Sequence, residues 1–120
     1  MKYLVFLAFI ICSTASSADL DCKQLSKIAD ENGTMFGTKY FFTLQGQKGF
    51  RSYFHNAPSS QCKNSKLFLI PDDTVVAYQQ FNYEGISWLY VMYIDKQGRD
   101  TSGWMKDQDF KLSSQLSMND

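Results

Sequence analysis

The sequence predicts an all-β fold, a small sandwich or barrel, with one short helix at its N-terminal end. Three observations lead there. Between Phe50 and Leu112, short runs of apolar, aromatic and β-branched residues recur about every eight to twelve residues, separated by turn residues. One run, Ser87 to Asp95, alternates Trp88, Tyr90, Met92 and Ile94 with Leu89, Val91 and Tyr93. Both of its faces are apolar, so both are expected to be covered, as in a small barrel with an extra element packed outside. Finally, no repeat or linker divides the chain, and 120 residues suffice for one small domain.

Residues 1–18 are expected to be a secretory signal and not part of the folded body. Lys2 supplies the positive start, Tyr3 to Cys12 is an apolar run, and Ser16-Ser17-Ala18 has the small residues that signal peptidase needs. The run is shorter than the roughly 20 residues a membrane-spanning helix requires. Neither Cys12, after Ile11, nor Cys22, after Asp21, sits in the small-residue context of a lipidation site. Cleavage after Ala18 removes Lys2 and no acid, leaving 102 residues with 11 basic and 12 acidic side chains. Such a balance argues against nucleic acid or anionic lipid as the main partner, since both need a clustered basic face. It also leaves Cys22 and Cys62 as the mature cysteines, and in an exported chain these are expected to form one disulfide. Closing a loop of about 40 residues is worth on the order of 3–4 kcal/mol.

Residues 19–32 are expected to be a helix, capped by Asp19 or Asp21, with Cys22, Leu25, Ile28 and Ala29 on one face and Asn32-Gly33 as the stop. Strands are expected at 36–44, 50–54, 66–70, 74–81, 87–95, 101–106 and 110–112. Between them, Gln45 to Gly49, Pro71-Asp72-Asp73, Asn82 to Gly85 and Lys96 to Asp100 read as turns, and His55 to Ser65 as a polar loop broken by Pro58. The domain is thus expected over 34–112, after a helical extension over 19–33. Residues 113–120 lack an apolar pattern and are expected to be a loose tail.

Four motifs in order give a resemblance covering about residues 48–112. Arg51-Ser52-Tyr53-Phe54-His55-Asn56-Ala57-Pro58 resembles the opening strand and loop of bacterial SH3-like (SH3b) domains. Pro71-Asp72-Asp73-Thr74-Val75-Val76-Ala77-Tyr78 is similar to their Gly-Asp-x-Val segment, with Asp72 where glycine is usual. Trp88-Leu89-Tyr90-Val91 is similar to their Trp-x-x-Val strand. Gly103-Trp104-Met105 is similar to the closing Gly-Trp-Val, with Leu112 as the final strand leucine. The chain departs from the pattern at Asp72, in the loop carrying Cys62 and in its helical extension. The resemblance implies a partly open barrel of five to six strands used for binding. Family members include wall-anchoring modules of hydrolases and small exported proteins that neutralise toxins.

No catalytic set is legible, and the chain is expected not to be an enzyme. His55 is the only histidine, and there is no G-x-S-x-G or HExxH pattern. Asp72 and Asp73 read as turn residues. No metal or cofactor is expected. Trp88 and Trp104 are expected in the core, since aromatics bury about 150–250 Å² each. Tyr53, His55, Asn56, Tyr78, Phe81, Tyr83 and Tyr93 are the binding candidates, because tyrosine suits an interface with an apolar ring and a wet hydroxyl. Lys63 and Lys66 read as a solvated face. The expected function is a periplasmic binding protein that neutralises a toxin or cell-wall hydrolase by protein–protein contact. The alternative is a module that binds peptidoglycan or an envelope peptide.

Overall fold

The structure is a computed structural model that describes residues 21–115. The expected signal segment, Asp19 and residues 116–120 lie outside the described residues. The described residues form one helix, α1 (Cys22–Asn32), and eight strands: β1 (Thr34–Met35), β2 (Tyr40–Leu44), β3 (Ser52–His55), β4 (Lys63–Leu69), β5 (Thr74–Tyr83), β6 (Ile86–Ile94), β7 (Asp100–Lys106) and β8 (Phe110–Gln115). Short 3-10 turns at Ser60–Cys62 and Asp107–Asp109 precede β4 and β8. All pairings are antiparallel, in the order β4-β3-β7-β6-β5-β2-β8, with β1 added beside β5. The fold is therefore all-β with one short helix, and its eight strands exceed both the seven expected from the pattern and the five to six implied by the resemblance.

The sheet wraps round one core. Leu44, Phe54, Leu69, Val75, Leu89, Met105 and Phe110 belong to a single buried cluster. Leu69 lies on β4 and Phe110 on β8, the two ends of the strand path, so the sheet must curl for them to share it. The Ser52 hydroxyl of β3 donates to the Asp109 carboxylate, just before β8, at 2.7 Å, drawing the ends together.

The alternation on β6 has the consequence expected of it. Leu89 and Val91 face the inner core, while Trp88 and Tyr90 face outward and are covered by α1. On β5 a bulge achieves the same division. Ala77 opposes Val91 and Gln79 opposes Tyr90, so Tyr78 is the extra residue. It reverses the parity of the strand. Val75 and Ala77 point into the core, and Phe81 and Tyr83 point under the helix, although all four are odd-numbered.

Asp21 caps α1, its carboxylate accepting from the Gln24 N–H at 2.8 Å. Leu25 and Ala29 are buried against the sheet, whereas Ile28, expected on the same face, is 37% exposed at its margin. At the other end Gln79, 3% exposed, donates its side-chain amide to the Ala29 and Asp30 carbonyls at 2.9 and 3.1 Å. The Asp30 carbonyl is one that a helix end leaves without an intrahelical partner, whereas the Ala29 carbonyl also accepts from the Gly33 N–H at 2.8 Å. Gly33 does end the helix, but not by a left-handed turn: its φ is −73°. A Cβ there would stand 2.6 Å from Gln79 Nε2 and 2.8 Å from the Gln80 carbonyl oxygen, so glycine is required by close approach. The Cys22–Cys62 disulfide ties the start of α1 to the turn before β4.

Several boundaries differ from expectation. The strand expected over 36–44 begins only at Tyr40, because Gly37 at φ +80° turns the chain after a separate two-residue strand, β1, at Thr34–Met35. The second expected strand begins at Ser52 and reaches His55, not Phe50 to Phe54. β4 starts at Lys63 and not at Lys66, because the Asn56 N–H bonds the Cys62 carbonyl at 2.9 Å and His55 pairs with Lys63. β5 runs through Tyr83, leaving Glu84 and Gly85, both at positive φ, as a two-residue hairpin loop. β8 continues to Gln115, into the segment expected as a tail. Its main-chain ladder with β2 and the Ser113 hydroxyl bond to the Phe41 carbonyl hold it, with only Phe110 buried.

Candidate functional site

The seven binding candidates do not form one site. Phe81 and Tyr83 lie beneath α1, their rings stacked at 6.5 Å, with Phe81 edge-on to Trp104 at 6.4 Å. Tyr78 sends its hydroxyl toward Met92 Sδ at 3.7 Å. Tyr93 packs against the inner core, and its phenol is pushed above the usual range, first by partial burial and then by the Asp73 and Asp95 carboxylates. Trp88 and Trp104 are 0% and 2% exposed, in the layer between sheet and helix and not in the inner core. The Trp88 Nε1–H finds no acceptor among the described residues.

Tyr53 and His55 do come together, in a basic pocket of about 270 Å³ on the outer side of β3. Arg51, Lys63 and Lys106 bring three cations to it, and Asp109 brings a carboxylate already engaged by Ser52. The Arg51 guanidinium sits 4.3 Å over the Phe68 ring and the Lys63 ammonium 4.5 Å over the Tyr53 ring. The two rings meet edge to face at 5.7 Å. Each cation–ring contact at an exposed site is worth about 0.5–1 kcal/mol, enough to order the long side chains without removing their charge from solvent. Phe50, which lines the pocket, and Phe68, under Arg51, are exposed, as are Leu67 on β4 and Ile70 just after it, Ile70 by half its surface. β4 is a terminal strand of the sheet path, so one side of its backbone has no ladder among the described residues.

His55 is buried at the back of this pocket, edge to face with Trp88 at 4.7 Å. Its Nδ1 is 3.2 Å from the Trp104 carbonyl, which can only accept, so Nδ1 carries the proton. Burial lowers its pKa first, against the raising effect of backbone carbonyl contacts, and the Lys106 and Lys63 charges push it further down. His55 is thus a neutral, structurally engaged ring, with its bonded partner a backbone carbonyl and not a nucleophile or carboxylate. Among the described residues no group of three or more His, Cys, Asp or Glu could hold a metal ion. None of their helices is long and apolar enough to cross a membrane.

Asn56 lies elsewhere, on the wall of a second depression of about 660 Å³ between α1 and the outer face of the sheet, floored by Tyr90 and Trp104. Of the residues that make the basic pocket, Arg51 and Lys106 were not readable as binding residues, nor was Phe68 beneath Arg51, and Lys63 read as a solvated face. The register jump that pairs Tyr53 with Phe68 but His55 with Lys63 carries Lys63 to the pocket. Lys106 arrives from β7, about fifty residues away in sequence. The one available signal was that Arg51 and Tyr53 share a strand face.

No protein-family model, curated protein or solved structure matches this chain.

Proposed function

We propose that this chain is an exported, non-catalytic binding protein of the SH3-like kind, which neutralises a toxin or cell-wall hydrolase in the periplasm by covering it. The observation that carries this reading is the β3–β4 face. There, the exposed Phe50 and Phe68 lie beside three cations, and β4 has no partner on its outer edge among the described residues. Aromatic and arginine side chains are the usual anchors of protein interfaces, and a basic rim favours an acidic partner surface. The disulfide and the signal-like first eighteen residues support export.

The test is capture from a bacterial envelope extract with residues 19–120, run beside sedimentation on purified peptidoglycan sacculi. The expected result is one stoichiometric protein partner, lost on the Arg51→Glu/Lys63→Glu double substitution while the thermal midpoint is retained. Sedimentation with sacculi and no protein partner would overturn the reading and move the chain to the wall-binding class.

A further inference from the structure

The geometry points to the cleft between α1 and the sheet as a binding site for the C-terminal end of a peptide, its free carboxylate held by Lys23 and Lys27. One wall is a single face of the helix: Lys23, Ser26, Lys27 and Asp30 follow at spacings of three and four. The two lysines stand one turn apart, so both can reach one carboxylate. Asp30, one turn further, offsets part of their charge and disfavours polyanions. A ligand bearing a single carboxylate fits that balance.

The floor fits the rest of a peptide end. Tyr90, half-buried and edge to face with the buried Trp104 at 5.3 Å, offers an apolar surface for the last side chain. Gln79 lies at the base, almost wholly buried, with its amide nitrogen committed to the Ala29 and Asp30 carbonyls. Only its Oε1 is left, and no hydrogen bond among the described residues engages it. An acceptor in that position takes a peptide N–H. Asn56, exposed on the opposite wall, offers both a donor and an acceptor to the next peptide group. The volume of about 660 Å³ lies within the roughly 300–1,000 Å³ of small-ligand sites. The disulfide at Cys22 and the Gln79 contacts hold the helix in place before a ligand arrives, which lowers the cost of ordering the site. None of these residues lines the β3–β4 pocket, so this inference stands apart from the function proposed above.

The probe is N-acetyl-Ala-Ala-Leu with a free C-terminus, titrated into residues 19–120 with tryptophan emission as readout, because Trp104 lines the cleft. The expected result is a saturable change, at least about tenfold weaker for the C-terminal amide and for the Lys23→Gln/Lys27→Gln variant. Both lysines are exposed, so the variant is expected to keep its thermal midpoint. Equal binding of acid and amide, full binding by the lysine variant, or the same emission change with acetate alone at equal concentration would each overturn the assignment. So would the absence of any saturable change.

Discussion

Replacing Gln79 by methionine keeps the length of the side chain and removes its amide. Two hydrogen bonds go, at 2.9 and 3.1 Å, from the carbonyls of Ala29 and Asp30. A net contribution of about 0.5–1.5 kcal/mol per bond gives roughly 1–3 kcal/mol. The lower half of that range is favoured at Ala29, whose oxygen keeps the Gly33 N–H at 2.8 Å. For a domain of this size 1 kcal/mol shifts the midpoint by about 4–8 °C, so a fall of roughly 5–15 °C is expected. The assay is thermal unfolding followed by near-ultraviolet circular dichroism, which reads the packing of Trp88 and Trp104 beneath the helix, with the disulfide kept oxidised. Gln79→Glu is the sharper companion: at neutral pH a carboxylate faces two carbonyl oxygens with nothing to donate, so its loss should exceed that of the methionine variant. A methionine midpoint within about 2 °C of the parent would refute the reasoning, because it would mean the helix end needs no partner from the sheet.

Gly33→Ala should destabilise by about 1–3 kcal/mol, since the new methyl meets the Gln80 backbone oxygen at 2.8 Å and neither strand nor helix end can easily retreat; chemical denaturation measures it. His55 has a folded pKa below its ordinary 6.5, so the unfolded chain binds more protons once the pH drops under 6.5. Its effect on stability should therefore be flat above about pH 6.5 and turn to a progressive loss below it. His55 is the sole histidine, so urea midpoints between pH 7.5 and 5 should show that part of the loss disappearing in His55→Asn. An unchanged pH profile in the variant would contradict a buried neutral ring.

The positions where reading the chain failed have a common cause. The split between β1 and β2 turns on one residue, Gly37, whose φ depends on both flanks pairing with β5. β8 past Leu112 has no buried side chain to show a period, because it is held by its backbone. Nothing within the run from Thr74 to Phe81 marks the bulge at Tyr78, and only pairing with β6 shows that the face changes. That change is what sends Phe81 and Tyr83, two of the binding candidates, under the helix. Asp72 stands where the SH3-like pattern has glycine. The residue follows Pro71 in a tight turn, closed by the Asp73 N–H on the Ile70 carbonyl, and has φ +83°, where glycine is favoured.

By itself the sequence determined what depends on local pattern and covalent chemistry: an all-β class, one short helix with Asp19 or Asp21 as its cap, the pairing of Cys22 with Cys62, and the need to cover both faces of β6. Such features follow from period, turn chemistry and the number of cysteines, each legible within a few residues. Only the tertiary structure decided where the helix lies, that Gln79 completes it, and that Arg51, Lys63 and Lys106 meet around Tyr53 and His55. These depend on strand order, on a bulge and on a register jump, and the energies that select them come from contacts between residues far apart in the chain.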